Sequence, residues 1–202
     1  MSRKVGASPE KTKKSLIESA TAEFLSKGYR KASLRDICGN AGVTTGALYF
    51  FFDSKEALFN EIINPVLSEI KDVVTRYYDS KLNLKPSDGD SDLEFGTNMV
   101  RYYYDNKHIC DIILSNRNYP AIRDFFDEAV SYMDDRMTKL QKLRARAGTG
   151  KEPINRYTRH WLSHLQIDSF LNVLTHTPDM ESAISQIAVT VTFIRAGYHA
   201  II

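Results

Sequence analysis

The stretch Ser33 to Phe59, SLRDICGNAGVTTGALYFFFDSKEALF, constrains the fold of this chain more than any other. Ser33 is a helix N-cap by residue type, and Asp36 three residues on can return a bond in a capping box. Leu34, Ile37 and Ala41 mark the inward face of that helix, Gly42 supplies a turn and Val43 plugs it. Thr44 caps a second short helix whose inward residue is Leu48, and Asp53 or Ser54 starts a third. Two short helices crossing at a tight turn present one of them to the major groove of DNA. The chemistry this predicts is binding, not catalysis.

Charge distribution agrees. The 202 residues carry a net charge of only +2, but residues 1–60 hold ten Lys/Arg against six Asp/Glu, while residues 61–202 hold seventeen against nineteen. A basic head on a slightly acidic body suits phosphate binding, although a solvated basic tail would give the same totals. The two cysteines, Cys38 and Cys110, form no CxxC pair and read as buried thiols in a reducing cytosol. The N-terminus lacks the apolar core of a secretory signal, and no run approaches the length of a membrane span. A cytoplasmic protein with no membrane partner is expected.

Helical periodicity runs almost throughout, which predicts an all-α fold. Ser8-Pro9 starts the first helix, Leu16, Ile17, Ala20 and Phe24 line one face, and Gly28-Tyr29 ends it. The helix after Asp53 has Leu58, Ile62, Val66 or Leu67, and Ile70 as its stripe, with Pro65 expected to kink or loosen it. Residues 81–92 read as a linker, and further helices are expected near 93–105, 107–115, 119–146, 154–175 and 179–201. The predicted organisation is a three-helix DNA-binding domain with a helix-turn-helix over 9–55, and a larger helical ligand-binding and dimerisation domain over 56–202.

With Leu16 to Phe59 in view, the chain resembles the TetR family of bacterial transcriptional regulators. The resemblance rests on Leu16-Ile-Glu-Ser-Ala20, Phe24, Gly28-Tyr29, Ser33-Leu-Arg-Asp-Ile37, Ala41-Gly42-Val43, Gly46-Ala-Leu48-Tyr49 and Ser54-Lys55-Glu-Ala-Leu58. It implies a homodimer, each recognition helix entering the major groove at one half of a palindromic operator, and a small-molecule ligand in the larger domain that loosens the grip. Repression is the simpler expectation, since occluding a promoter needs no further contact. Phe50-Phe51-Phe52 departs from the family, where histidine or tyrosine is common in this run.

Phosphate contacts give affinity and base-edge contacts give sequence choice. Tyr49 and Lys55 are the first phosphate candidates, followed by Arg35 and Ser33. The alternative for Tyr49 is a core aromatic with a wet tip, and for Lys55 a plain surface lysine. For base readout the exposed positions are Thr44, Thr45, Gly46, Ala47 and Phe51, with threonine hydroxyls and small or aromatic apolar groups able to meet base edges or thymine methyls. No Arg, Asn or Gln lies on this helix, so part of the specificity should come from DNA shape. Lys4, Lys11, Lys13 and Lys14 are further phosphate candidates.

In the body, residues 154–201 form two helices apolar over much of their circumference, which calls for partners on two sides. Trp161, Leu165, Ile167, Phe170, Leu171 and Leu174 wrap the first; Ile184, Ile187, Val191, Ile194 and Tyr198 stripe the second. Together with its symmetry mate this pair would make a four-helix dimer interface. A pocket for an unknown hydrophobic or amphipathic ligand is expected among Tyr103, His108, Ile113, Phe126, Met133, Trp161, His164 and Asp168, each of which could instead be core. No cofactor or metal is expected. His160 and His164 have i, i+4 spacing without the H-E-x-x-H pattern, and Cys110 with His108 is the weak enzyme alternative.

Overall fold

A computed structural model describes residues 8–82, 89–148 and 153–201. The described residues form nine helices and no strand: α1 (Pro9–Lys31), α2 (Leu34–Asn40), α3 (Thr45–Phe51), α4 (Lys55–Lys81), α5 (Gly89–Asp105), α6 (Lys107–Ser115), α7 (Pro120–Arg146), α8 (Arg156–His176) and α9 (Met180–Ile201). The all-α fold is as expected. Much of the linker read at 81–92 lies outside the described residues.

The chain divides into two compact units. The head takes in the residues up to Glu69 and also Lys107–Ile122, so it is larger than the 9–55 core of the helix-turn-helix. Its centre is the fully buried set Leu16, Ala20, Phe24, Ile37, Leu48, Leu58 and Phe59. Each large apolar side chain removed from water contributes roughly 1.5–3 kcal/mol. Ser8, Ser33 and Thr44 all cap as their residue types require, accepting from Lys11 N, Asp36 N and Ala47 N at 3.2–3.3 Å.

Two local expectations change. The capping-box return to Ser33 N comes from Glu23 Oε1 on α1 at 3.1 Å, not from Asp36. Asp36 is drawn to Lys27, 3.0 Å away, and buried Glu23 also takes an ion pair from Lys27 at 2.8 Å. At Gly28 the chain turns (φ 71°, ψ 164°) but helix resumes to Lys31, the break expected there becoming a kink. That φ/ψ combination is essentially open to glycine alone.

Residues 116–119, which separate two helices in the sequence, tie α6 to the head. Asn116 Oδ1 accepts from Tyr29 N at 3.1 Å, just past the kink, while its Nδ2 donates to Ile112 O at 2.7 Å. Tyr119 donates to Asn60 Oδ1 at 3.0 Å, and its ring lies 4.8 Å from both Tyr29 and Phe59. Phe24 completes the cluster, 4.9 Å from Phe59 and edge-on. Helix α4 continues through Pro65, which lies on its exposed side, where water can satisfy the carbonyl that proline leaves without a donor.

The body comprises Ile70–Asn106 and the chain from Arg123 onward. Helix α5 packs against α9, and α8 against α9. Gly96 permits the first crossing: a Cβ there would stand 3.1 Å from Ile187 Cγ1 and 3.5 Å from Val191 Cγ2. Ile187 is buried in this crossing and Val191 half-buried, so this stripe of α9 serves the contact with α5. Tyr77 stacks on Phe95 at 3.8 Å and donates to Asp92 at 2.7 Å, with Lys81 ion-paired to the same carboxylate. Tyr78 donates to Gln166 Oε1 at 2.8 Å, and Gln166 Nε2 donates to Tyr198.

Candidate nucleic-acid interface

Helix α3 has seven residues, and Leu48 is its inward anchor at 0% exposure. Phe52, four residues on, is also buried and fixes the C-terminal end of the helix. With 100° between successive residues, these two anchors turn positions 46, 47 and 50 away from the core and leave 49 and 51 on the flanks. Thr45 and Gly46 are exposed and Ala47 is half-buried, while Tyr49 is 55% and Phe50 78% exposed. The core alternative for Tyr49 fails on that exposure.

Phe51, the phenylalanine singled out for base readout, is half-buried, and its ring meets Phe50 edge-on at 5.0 Å. Phe50 is the outward residue that the sequence reading missed. The signal was present, because the i, i+4 pair Leu48 and Phe52 already defined the buried face. Thr44 and Ser33 hydroxyl oxygens accept cap bonds, yet each hydroxyl proton stays available to donate to a phosphate or base. Arg35 is exposed on α2.

Lys55 is placed differently from a plain surface lysine. Its ammonium donates to Ala32 O at 3.0 Å and Arg30 O at 3.3 Å and sits 4.8 Å over the Tyr29 ring. It thus closes the end of α1 and keeps one N–H for another acceptor. Of the N-terminal lysines, Lys13 pairs with Glu61 at 2.6 Å and Lys14 with Glu18 at 3.8 Å; Lys11 is exposed, and Lys4 lies outside the described residues.

The eight ligand candidates are divided between the two units. Tyr103 and Met133 are buried in the body and Phe126 is half-buried there. Trp161 is 59% exposed, and His164 and Asp168 follow it on the outer face of α8. Ile113 is buried and His108 exposed on α6, which belongs to the head. Periodicity identifies an apolar residue but does not say which neighbour covers it. Burial pushes the Cys110 thiol up to about 12, so it stays protonated at neutral pH and is a poor nucleophile. His160 and His164 rings lie 4.7 Å apart on the surface, and among the described residues no three His, Cys, Asp or Glu gather as metal ligands. Among the described residues, no helix is long and apolar enough to cross a membrane.

Residues 16–62 match the family model of bacterial regulatory proteins, tetR family. The "Probable acrEF/envCD operon repressor" of Escherichia coli (strain K12) is 44% identical over 62 residues, which is 31% of this chain and 28% of that repressor. The chain thus matches under a third of that relative's length. Solved structures extend the likeness in fold. A TetR-family transcriptional regulator from Bordetella parapertussis 12822 superposes with a TM-score of 0.65 at 20% identity, covering 94% of this chain and 97% of that one. The transcriptional regulator FadR from Bacillus subtilis in complex with stearoyl-CoA gives 0.57 at 13% identity, covering 90% and 96%.

Proposed function

We propose that this chain, whose N-terminal region and fold are those of TetR-family transcriptional regulators, binds a palindromic operator as a homodimer, represses transcription, and is released by a small molecule held in its body. The observation that carries the reading is α3: capped by Thr44, anchored by Leu48, and exposing Thr45, Gly46, Tyr49 and Phe50. Tyr49, Ser33, Arg35 and the remaining N–H of Lys55 serve phosphates. Thr44, Thr45, Gly46, Ala47 and Phe50 meet base edges, the aromatic ring against a thymine methyl, with Phe51 bracing it. The name of the Escherichia coli relative supports repression, and the stearoyl-CoA complex of FadR supports control by a small molecule.

Dimerisation rests on the outer faces of α8 and α9. Tyr157 is 86% and Trp161 59% exposed one turn apart on α8, and Val189 is 61% and Phe193 73% exposed one turn apart on α9. Large apolar side chains aligned in this way mark an interaction surface. A monomer by light scattering at micromolar concentration overturns the dimer.

Genomic DNA selection with the purified protein at two salt concentrations tests the whole reading. Enrichment of one palindrome, weakening with salt as counterion release requires, is the expected result. Salt-sensitive binding without a motif contradicts operator recognition, and no binding at either salt contradicts a DNA-binding role. Elution of one defined small molecule that lowers operator affinity checks the release step.

A further inference from the structure

Within the body, the second half of α4 and helix α7 are joined by polar bridges at regular spacing. Lys71, Thr75 and Asp79 stand at i, i+4 and i+8 on α4, and Glu128, Tyr132 and Arg136 at i, i+4 and i+8 on α7. Lys71 Nζ pairs with Glu128 Oε2 at 2.8 Å. Tyr132 donates to Thr75 O at 3.3 Å and to Asp79 Oδ1 at 2.9 Å. Arg136 Nε pairs with Asp79 Oδ1 at 3.0 Å, its guanidinium 4.6 Å over the Tyr132 ring. Matching steps in the same direction make the two helix segments run parallel.

Lys71, Glu128, Thr75 and Tyr132 of the first two bridges line an open cleft of about 560 Å³, together with Val74, Phe125 and Ala129. Three carboxylates belong to the same lining, Asp124, Asp127 and Glu128, against one ammonium, Lys71. Asp124 is engaged by Arg123 at 2.9 Å and Glu128 by Lys71, while Asp127 is exposed. A volume of this size is in the range that holds small ligands. Aromatic faces beside carboxylates attract organic cations, through the ring quadrupole and through charge. The Tyr132 ring already receives one cation, Arg136.

We propose that this α4–α7 cleft binds an amphipathic organic cation, an ammonium on an alkyl or aryl body, with the apolar part against Val74, Phe125 and Ala129 and the charge at Asp127 and Glu128. Glu128 would exchange Lys71 for the ligand, opening the first bridge. As the ligand site of a DNA-releasing regulator, the cleft rests on the function proposed above; as a binding site it does not. The sequence candidates for ligand binding did not include Val74, Asp127 or Glu128, because a cleft between helices on opposite sides of a linker leaves no local pattern.

The test is calorimetric titration of the full chain with decyltrimethylammonium, and with decanoate as the anion of equal chain length. The cation is expected to bind about tenfold tighter or more, a difference of roughly 1.4 kcal/mol. Asp127→Asn with Glu128→Gln should remove that preference while keeping the thermal transition, and Phe125→Leu should weaken binding of the cation. Equal binding of both probes, or a preference that survives the double substitution, overturns the site. Operator binding is measured separately. If the cation binds the cleft and DNA affinity does not change, the site stands and its part in release falls. If the chain fails to bind DNA at all, the regulator reading falls and the titration still decides the cleft.

Discussion

The head and the α4–α7 seam of the body hold helices together by opposite means. In the head, Phe24, Tyr29, Phe59 and Tyr119 pack ring against ring at 4.7–6.1 Å, closing α1, α4 and the turn after α6 on one another. In the seam, Lys71, Asp79, Glu128, Tyr132 and Arg136 reach across in charged and hydroxyl pairs. Ring packing excludes water and resists displacement. Exposed ion pairs trade readily with water or another ion, because solvent already supplies most of their energy. A DNA reader needs α3 held at fixed register, whereas a seam that answers to a ligand needs contacts that can be exchanged at low cost.

The largest effect should come from breaking the rigid side. Phe59→Ala removes a fully buried ring that touches three others and should cost about 3–5 kcal/mol in urea denaturation. A cost below that of a surface substitution would remove the contrast. Gly28→Ala comes next, at about 1–3 kcal/mol, because alanine cannot relax into φ 71°, ψ 164°. The nearest atom to the new Cβ would be Asn116 Oδ1 at 3.8 Å, so backbone strain and not crowding sets the loss. Asn116→Ala should cost about 1–3 kcal/mol by orphaning Tyr29 N and freeing α6. Hydrogen exchange at α6 would report the loosening directly.

On the exchangeable side, Lys71→Met should shift stability by no more than about 1 kcal/mol, both partners being mostly exposed. A loss as large as that of Asn116→Ala would mean the bridges are structural and not replaceable. Alkaline pH gives a graded test of the head. Burial raises the Cys110 thiol from 9.0 to about 12, so its contribution is present in full below pH 9 and lost as pH rises toward 12. Cys110→Ala should lower stability at pH 7 by the packing it removes and flatten the stability curve across that window.

Much of the head was legible in the sequence because its signals are local. Ser8, Ser33 and Thr44 cap where their residue types and positions say they should, and Leu48 with Phe52 defines which face of α3 is buried. The helix boundaries in the body were legible for the same reason, periodicity being a property of neighbours in the chain. What those helices touch was not. Asn116 and Tyr119 read as connector residues, yet they secure the kink at Gly28 from almost ninety residues away. Trp161 read as pocket lining and stands on the surface, while Ile187 and Val191 read as an apolar stripe without a named neighbour and meet Gly96.

The sequence by itself determined the all-α fold, the helix-turn-helix, its caps and the outward face that DNA would meet. Each follows from backbone hydrogen-bond supply and the 3.6-residue period, which act within one or two turns of chain. Only the tertiary structure decided that α6 joins the head, that Lys55 closes the end of α1, and that Lys71 meets Glu128. Those outcomes depend on which helix faces meet across dozens of residues, and apolar burial, being non-directional, does not name its partner in advance.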